Sequence, residues 1–198
     1  MYSSTELALK YLNYTWRASN GKGHGIHSPF VYEFVTEVLN DQRMYYPFAA
    51  IENLRASLEK DRRKIVVEDY GKSSAIHKEL RVGAIARRAL SAKKFGQLLF
   101  RMVNHYQPKN IIELGTSLGI SAAYLAAADP EASLITMEGS DEIARIAGEG
   151  FKKLGLGNLR QINGNFDETL KTVIQSSPPA DLVYIDGNHR KEPLLNYF

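Results

Sequence analysis

The run Ile111-Ile112-Glu113-Leu114-Gly115-Thr116-Ser117-Leu118-Gly119-Ile120-Ser121 sets an acid ahead of two glycines at the spacing acid-x-Gly-x-x-x-Gly. Glycines at 115 and 119 let the backbone approach a bound molecule, and a helix opening there aims free N–H groups and a positive dipole end at a carboxylate or phosphate. Glu113 can accept from an ammonium group or hold the N–H groups of the bend that carries Thr116 and Ser117. The plainer alternative is an acid at a strand end beside a glycine turn. A dinucleotide fingerprint is excluded, because Gly-x-Gly-x-x-Gly counted from Gly115 needs glycines where Ser117 and Ile120 stand. Nineteen residues past Gly119 comes Glu138, followed by Gly139. An acid ending the second strand of a nucleotide-type fold can accept from both ribose hydroxyls, each charge-assisted bond being worth about 1.5–3 kcal/mol. Asp141 and Glu142 follow closely, so an acid serving only a helix N-terminus is the competing reading.

The elements that must position these groups read strand, helix, strand, helix from residue 110 onward, in the manner of a doubly wound sheet. Ile111 to Leu114 is short and apolar, as a buried parallel strand is, and residues 121–128 are Ala-rich and helical. Asp129-Pro130 turns the chain into a second strand over residues 133–137. A helix over 141–154 closes at Gly155, a third strand spans 159–162, and a fourth, 181–186, follows the loop Ser176-Ser177-Pro178-Pro179.

The first half reads mostly as helices: residues 4–18, then a glycine-rich break at 21–25, then a helix capped by Ser28 with Pro29 at its first position. Phe30, Val31, Phe34, Val35, Val38 and Leu39 form one apolar face of the latter. Helices are also expected over 49–61 and 74–90, with a short strand at Ile65-Val66-Val67 between them. Ser91 is a candidate cap for a further helix that turns Phe95, Leu98, Leu99, Met102 and Val103 inward and stops at Pro108. Gly21-Lys22-Gly23-His24-Gly25-Ile26-His27 could cradle an anion or offer metal ligands, but no third ligand is fixed nearby, and a polar connection explains it as well.

Composition narrows the choices. The 198 residues are 44% hydrophobic and 24% charged, with no cysteine, which excludes disulfides, thiolate metal sites and cysteine nucleophiles. No stretch approaches the ~20 apolar residues of a membrane span, and no signal-peptide pattern opens the chain, so the cytoplasm is the expected compartment and no membrane partner is expected. Residues 1–95 hold 16 Lys and Arg against 10 Asp and Glu, whereas 96–198 hold 9 against 12. A basic set of Arg55, Lys60, Arg62, Arg63 and Lys64, continued by Lys78, Arg81, Arg87, Arg88, Lys93 and Lys94 and interleaved with Tyr45, Tyr46 and Tyr70, could track RNA; a solvated helix face accounts for it too.

Four features in order, Phe95-Gly96-Gln97-Leu98-Leu99, the acid-glycine bend with Gly119-Ile120-Ser121, Met137-Glu138, and Asp181-Leu182-Val183-Tyr184-Ile185-Asp186-Gly187-Asn188-His189, resemble the class I S-adenosylmethionine (SAM) methyltransferases of the catechol and caffeoyl-CoA O-methyltransferase type. The resemblance covers about residues 91–192. It implies an α/β fold with a Rossmann-like, mostly parallel doubly wound sheet over 91–198, preceded by a helical cap region over 1–90 that shapes the acceptor pocket. It implies a methyl transfer from SAM to an oxygen of a small-molecule acceptor. By position, Ser91 and Ala92 lie near the methionine part of SAM, Glu113 and Ser121 near its amino and carboxylate ends, and Glu138 with Gly139 at the ribose. The turn after the third strand lies beside the adenine: Gly164 allows approach, Asn165 or Asp167 can bond the exocyclic amine, and Phe166 either stacks on the ring or joins the core. Asp186 falls near the sulfonium, and His189 falls where relatives carry a proton-accepting lysine, a task a neutral imidazole can fill.

Metal-dependent relatives bind Mg²⁺ through Asp186 and an Asp-Asn pair on a further strand. That pair has no counterpart before Phe198, so metal dependence stays open and no metal ligand is assigned. The family's later strands are likewise missing, which implies either a piece of a longer protein or a fourth strand whose edge is covered by Ile65 to Val67 or by a second copy, a route to a homo-oligomer. Two rival functions remain, an RNA methyltransferase using the basic N-terminal surface and a SAM-binding protein without turnover.

Overall fold

In a computed structural model, residues 28–69 and 76–187 are described, together with residues 5, 6, 9 and 12, which are helical. Apart from those four positions, the helix expected over 4–18 lies outside the described residues, as do the 21–27 segment, Tyr70 and His189. The chain divides into two compact units, residues 1–43 and 44–198.

In the first unit, Ser28 caps helix α1 (Pro29–Glu33) as expected, its hydroxyl accepting from the Val31 N–H at 3.4 Å. The chain then widens into a π-helical turn over Phe34–Leu39, and of the anticipated apolar face only Val38 is buried.

The second unit is built on four parallel strands: β3 (Asn110–Leu114), β4 (Ser133–Glu138), β5 (Leu159–Asn163) and β6 (Leu182–Ile185), in the order β5-β4-β3-β6. Because parallel neighbours need crossovers, a helix precedes or follows each: α4 (Lys93–Tyr106), α5 (Ile120–Ala128), α6 (Asp141–Leu154) and α7 (Phe166–Ser176). Side chains alternate across the sheet. Ile111 and Leu134 pack with α5 and α6, while Ile112, Leu114, Ile135 and Met137 pack with Leu170 and Val173 of α7. Helix α6 ends with Gly155 at φ 67° and the Leu156 N–H returning to the Phe151 carbonyl at 3.1 Å, the cap its Gly-Leu-Gly sequence announced.

Upstream, helix α2 (Pro47–Lys60) and helix α3 (Val82–Ala89) flank an antiparallel pair, β1 (Lys64–Asp69) and β2 (Ile76–Arg81). Of the helix expected over 74–90, Ile76–Arg81 is therefore a strand and Val82–Ala89 a helix, and residues 74 and 75 lie outside the described residues. Ile76 and Leu80, four apart, fit a helix and also the same face of a strand, so their spacing could not decide. Phe48, Ile51, Leu54 and Leu58 of α2, Ile65, Val82 and Ile85 join Phe100, Ile120 and Tyr124 in one continuous core.

Two further expectations are corrected. Ile65 to Val67 does not cover β6 but pairs with β2; among the described residues β6 pairs only with β3. Ser91 does not cap α4, whose N-cap is Ala92 without a side-chain bond, and the helix buries Gly96, Phe100 and Val103 while Phe95 is half exposed. An interior glycine on the buried face lets α5 come close, since a Cβ on Gly96 would run into the Tyr124 ring.

Candidate functional site

Strand order reverses direction of growth between β3 and β6, and in open parallel sheets the crevice at the carboxyl ends of such strands is where ligands bind. Glu113, Glu138 and Asp186 stand at or just past the carboxyl ends of β3, β4 and β6. A cleft opens there, lined by Arg55, Ala89, Leu90, Ser91, Gly96, Leu99, Gly115, Thr116, Ser117, Ile120, Ser121 and Asp186. It thus gathers four of the expected loop and helix-start residues, Gly115, Thr116, Ser117 and Ser121, with Ser91 and Asp186, while Glu113, Gly119 and Glu138 are not among its lining residues.

Gly115, at φ 104°, is where two strand ends meet. A Cβ there would lie 2.6 Å from the Asp186 carbonyl oxygen, and the Asp186 N–H donates to the Leu114 carbonyl at 2.8 Å. Gly119, expected to make room for a ligand, makes room for the protein: at φ 83° it caps α5, and a Cβ would strike the Phe151 ring at 2.7 Å. Ser117 completes the bend at φ 47°, a conformation rare outside glycine.

Glu113 is fully buried on the α5 side of the sheet, opposite Thr136 in the β3–β4 register. Thr136 donates to its Oε2 at 2.5 Å, and Thr116 lies 2.5 Å from Thr136, so three side chains form one chain of bonds. Its other oxygen, Oε1, is buried and meets no donor at full hydrogen-bonding geometry, the Ser121 hydroxyl acting on the carboxyl more weakly. Burial pushes the carboxyl up to about 7, the Ser121 and Thr136 hydroxyls pull the other way, and the Asp186 and Glu138 charges add to the rise. Such an oxygen suits a cationic partner, which would restore the ionised form.

Glu138 ties β4 to the bend: Oε2 accepts from the Ser117 N–H at 2.8 Å and Oε1 from the Ser140 N–H at 3.0 Å. Burial raises its pKa, and the N–H groups of Ser140, Ser117 and Gly139 oppose the rise. The Tyr184 hydroxyl donates to Asp186 Oδ2 at 3.1 Å; burial and then the Asp186 charge push that phenol up to about 12, with the Ser91 side chain countering.

Ala92, exposed at the start of α4, is not among the cleft's lining residues, nor are Gly139, Gly164, Asn165 and Phe166. Gly164 has φ 131° at the end of β5. The Asn165 side chain caps α7 by accepting from the Asp167 N–H at 3.1 Å. Phe166 packs beside the Ile112, Leu114 and Met137 cluster, close enough to Gly187 that a Cβ there would meet its ring at 2.8 Å. Among the described residues no three His, Asp or Glu side chains cluster as a metal set.

One cleft residue, Arg55, and one partner of a cleft residue, Tyr184, had no sequence signal of their own. Tyr184 reads as part of an apolar strand, although its alternation with Leu182 is what aligns its hydroxyl with Asp186. Arg55 reads as one of a basic surface set, yet it is a wall of the cleft: Nε donates to both Glu52 oxygens at 3.1 Å and Nη1 to the Ser91 carbonyl at 2.8 Å.

Parallel order with crossover helices and a glycine bend at the switch point define a Rossmann-like, doubly wound α/β fold. The solved O-methyltransferase from Bacillus cereus in complex with SAH shares it, with a TM-score of 0.57 over 85% of this chain and 66% of that one at 18% identity. Residues 112–198 match the family model described as "Methyltransferase domain". Catechol O-methyltransferase of Niastella koreensis is 35% identical over 108 residues, 53% of this chain and 47% of that protein. Residues 112–198 are thus similar to a methyltransferase domain, and the chain spans about half the length of the catechol O-methyltransferase it matches.

Proposed function

We propose that this chain binds SAM at the β3–β6 cleft and transfers its methyl group to an oxygen of a small-molecule acceptor. The observation that carries the proposal is the setting of three acids about the glycine bend: Asp186 lines the cleft beside Gly115, Glu138 accepts from the Ser117 N–H, and the buried Glu113 senses both of their charges. A cleft lined by one carboxylate, Asp186, and by a helix start suits a ligand with separated positive and negative ends. When bound, SAM supplies a methyl carbon on a positively charged sulfur that is already a good leaving group.

The chain's own work is then placement. Glu113 takes the ammonium end, Ser121 and the start of α5 the carboxylate, and Ser91 and Ala92 the methionine stem. Glu138, released from the Ser117 or Ser140 N–H, accepts from the ribose, with Gly139 beside it. Gly164, Asn165 and Phe166 border the base, Phe166 by its edge, since its ring is engaged by Gly187. Asp186 holds negative charge near the sulfonium, and His189 takes the acceptor's proton. Holding the reacting atoms in line and away from water accounts for most of the rate, and a base near the acceptor for a further ~10²–10⁴-fold.

Calorimetric titration of SAM into the wild type and into Glu138→Ala tests the binding half. Saturable binding weakened at least tenfold by the substitution is expected. No heat of binding in the wild type would sink the reading. Incubation with SAM and a panel of catechols, phenols and other hydroxyl compounds tests the transfer half.

A further inference from the structure

Arg55 is a buried cation with an unfinished set of bonds. Its side chain is 11% exposed. Glu52 engages Nε and the Ser91 carbonyl engages Nη1, while Nη2 is buried and has no partner. Leaving a buried charged donor unsatisfied is costly, on the order of 1–3 kcal/mol or more, so the position is under pressure to be completed by something. The residue is also held rigidly. Glu52, which grips it, itself accepts from the Tyr124 hydroxyl at 2.8 Å, and Tyr124 is a wholly buried residue of α5. Helix α2 is thereby fastened to the helix that begins at the glycine bend.

What completes Arg55 is indicated by its company. It lines the same cleft as Ser91, Ser121 and Asp186, and the first N–H groups of α5 have no partners within their own helix. The cleft therefore offers a guanidinium and a helix start, both suited to an anion, and also Asp186, suited to a cation. A guanidinium matches a carboxylate in plane and spacing better than any other side chain. We infer that Arg55 Nη2 receives the carboxylate of the amino-acid end of SAM, so that residues upstream of the matched methyltransferase segment complete the cofactor site. This rests on the SAM reading above and names a residue for it. The alternative for Arg55 is a purely structural pin between α2 and the turn at Ser91, and that alternative makes a different prediction.

The test compares two ligands on the full chain: SAM, and 5′-methylthioadenosine, which keeps the nucleoside and sulfur but lacks the amino-acid end. Both are titrated calorimetrically into wild type, Arg55→Gln and Arg55→Lys. Loss of a charged hydrogen bond predicts SAM binding weakened roughly 10- to 100-fold in Arg55→Gln, with methylthioadenosine unchanged within twofold. Arg55→Lys keeps the charge and guards against a glutamine variant that does not fold; it is expected to lose less for SAM and nothing for methylthioadenosine. Equal losses for both ligands, or no loss for either, would overturn the assignment while leaving the cofactor reading intact. A wild type that binds neither ligand overturns the cofactor reading itself.

Discussion

Glu113 is the residue on which the physical chemistry of this fold concentrates. Its carboxyl titrates near 7 rather than at its ordinary 4.5, chiefly because it is buried. The sign follows from linkage: the folded state holds a proton that the unfolded state releases near 4.5, so this contribution to stability is whole below 4.5 and is lost as pH rises through about 7. At 1.36 kcal/mol per pKa unit the loss is on the order of 3 kcal/mol. Glu138 is shifted in the same direction, so the contrast must be made by substitution. In urea unfolding, Glu113→Gln is expected to gain stability relative to wild type between pH 5 and pH 8; an unchanged difference at the two pH values would show an unperturbed carboxyl. A ligand ammonium at Oε1 would stabilise the ionised form, so SAM binding at pH 6 is expected to release protons, read as a dependence of the calorimetric heat on buffer ionisation enthalpy. Gly115 is constrained differently. Alanine there would combine a backbone at φ 104° with a contact 2.6 Å from the Asp186 carbonyl, and about 1–3 kcal/mol of destabilisation is expected in thermal melts. These positions were visible as an acid and a glycine at a set spacing, but the spacing assigned both glycines to a ligand. Gly119 also seats the Phe151 ring, which no local pattern can reveal because the two are brought together only by the crossover.

At the scale of elements, the site depends on how closely α4 and α2 seat against α5. Gly96 and Tyr124 form that seat, and the Tyr124 hydroxyl carries it on to Glu52. Gly96→Ala is expected to lower stability by about 1–3 kcal/mol, because a methyl group forced against a buried ring displaces it or the helix. Tyr124→Phe keeps the ring and removes one bond to a carboxylate, an expected loss of about 1.5–3 kcal/mol. Combining Gly96→Ala with Tyr124→Leu should cost less than the sum of the two single changes, because the shorter side chain vacates the space; strict additivity would mean that the two residues do not share a contact. The sequence was most readable where period and cap agree. The Asp141–Leu154 helix has an apolar face, acids in its first turn, lysines in its last and glycine at its end, and the structure follows each of these signals. It was least readable at Ile76–Arg81, where apolar residues four apart satisfy two periods and only the partner strand decides. Arg55 was hidden for a related reason: its exposure is set by the Ser91 turn and by α5, both far along the chain.

For the molecule as a whole, the excess of basic residues in the first half invites an RNA-binding reading, and four residues of that basic set are engaged within the fold. Arg55 is buried in the cleft. Arg63 bonds Asp61 and Glu149, with nearest contacts of 2.7 and 2.8 Å, Lys64 bonds Glu79 at 2.8 Å, and Arg87 donates to the Glu59 carbonyl. A surface that tracks a phosphate backbone needs cations free to release counterions, and paired cations release few. The Arg63–Glu149 pair instead braces the start of β1 against α6, an arrangement helped by the Val66 N–H donating to Glu142 at 2.5 Å. Gel-shift titrations with structured RNA at 50 and 200 mM salt are therefore expected to show no salt-sensitive complex. Reversing charge at Arg62, Arg63 and Lys64 together is expected to lower stability modestly, exposed pairs being worth about 0–1 kcal/mol each, and to leave SAM affinity unchanged. A complex that weakens steeply with salt and disappears in the reversed variant would instead move the acceptor from a small molecule to RNA, because the cleft would then lie beside a working phosphate-binding face.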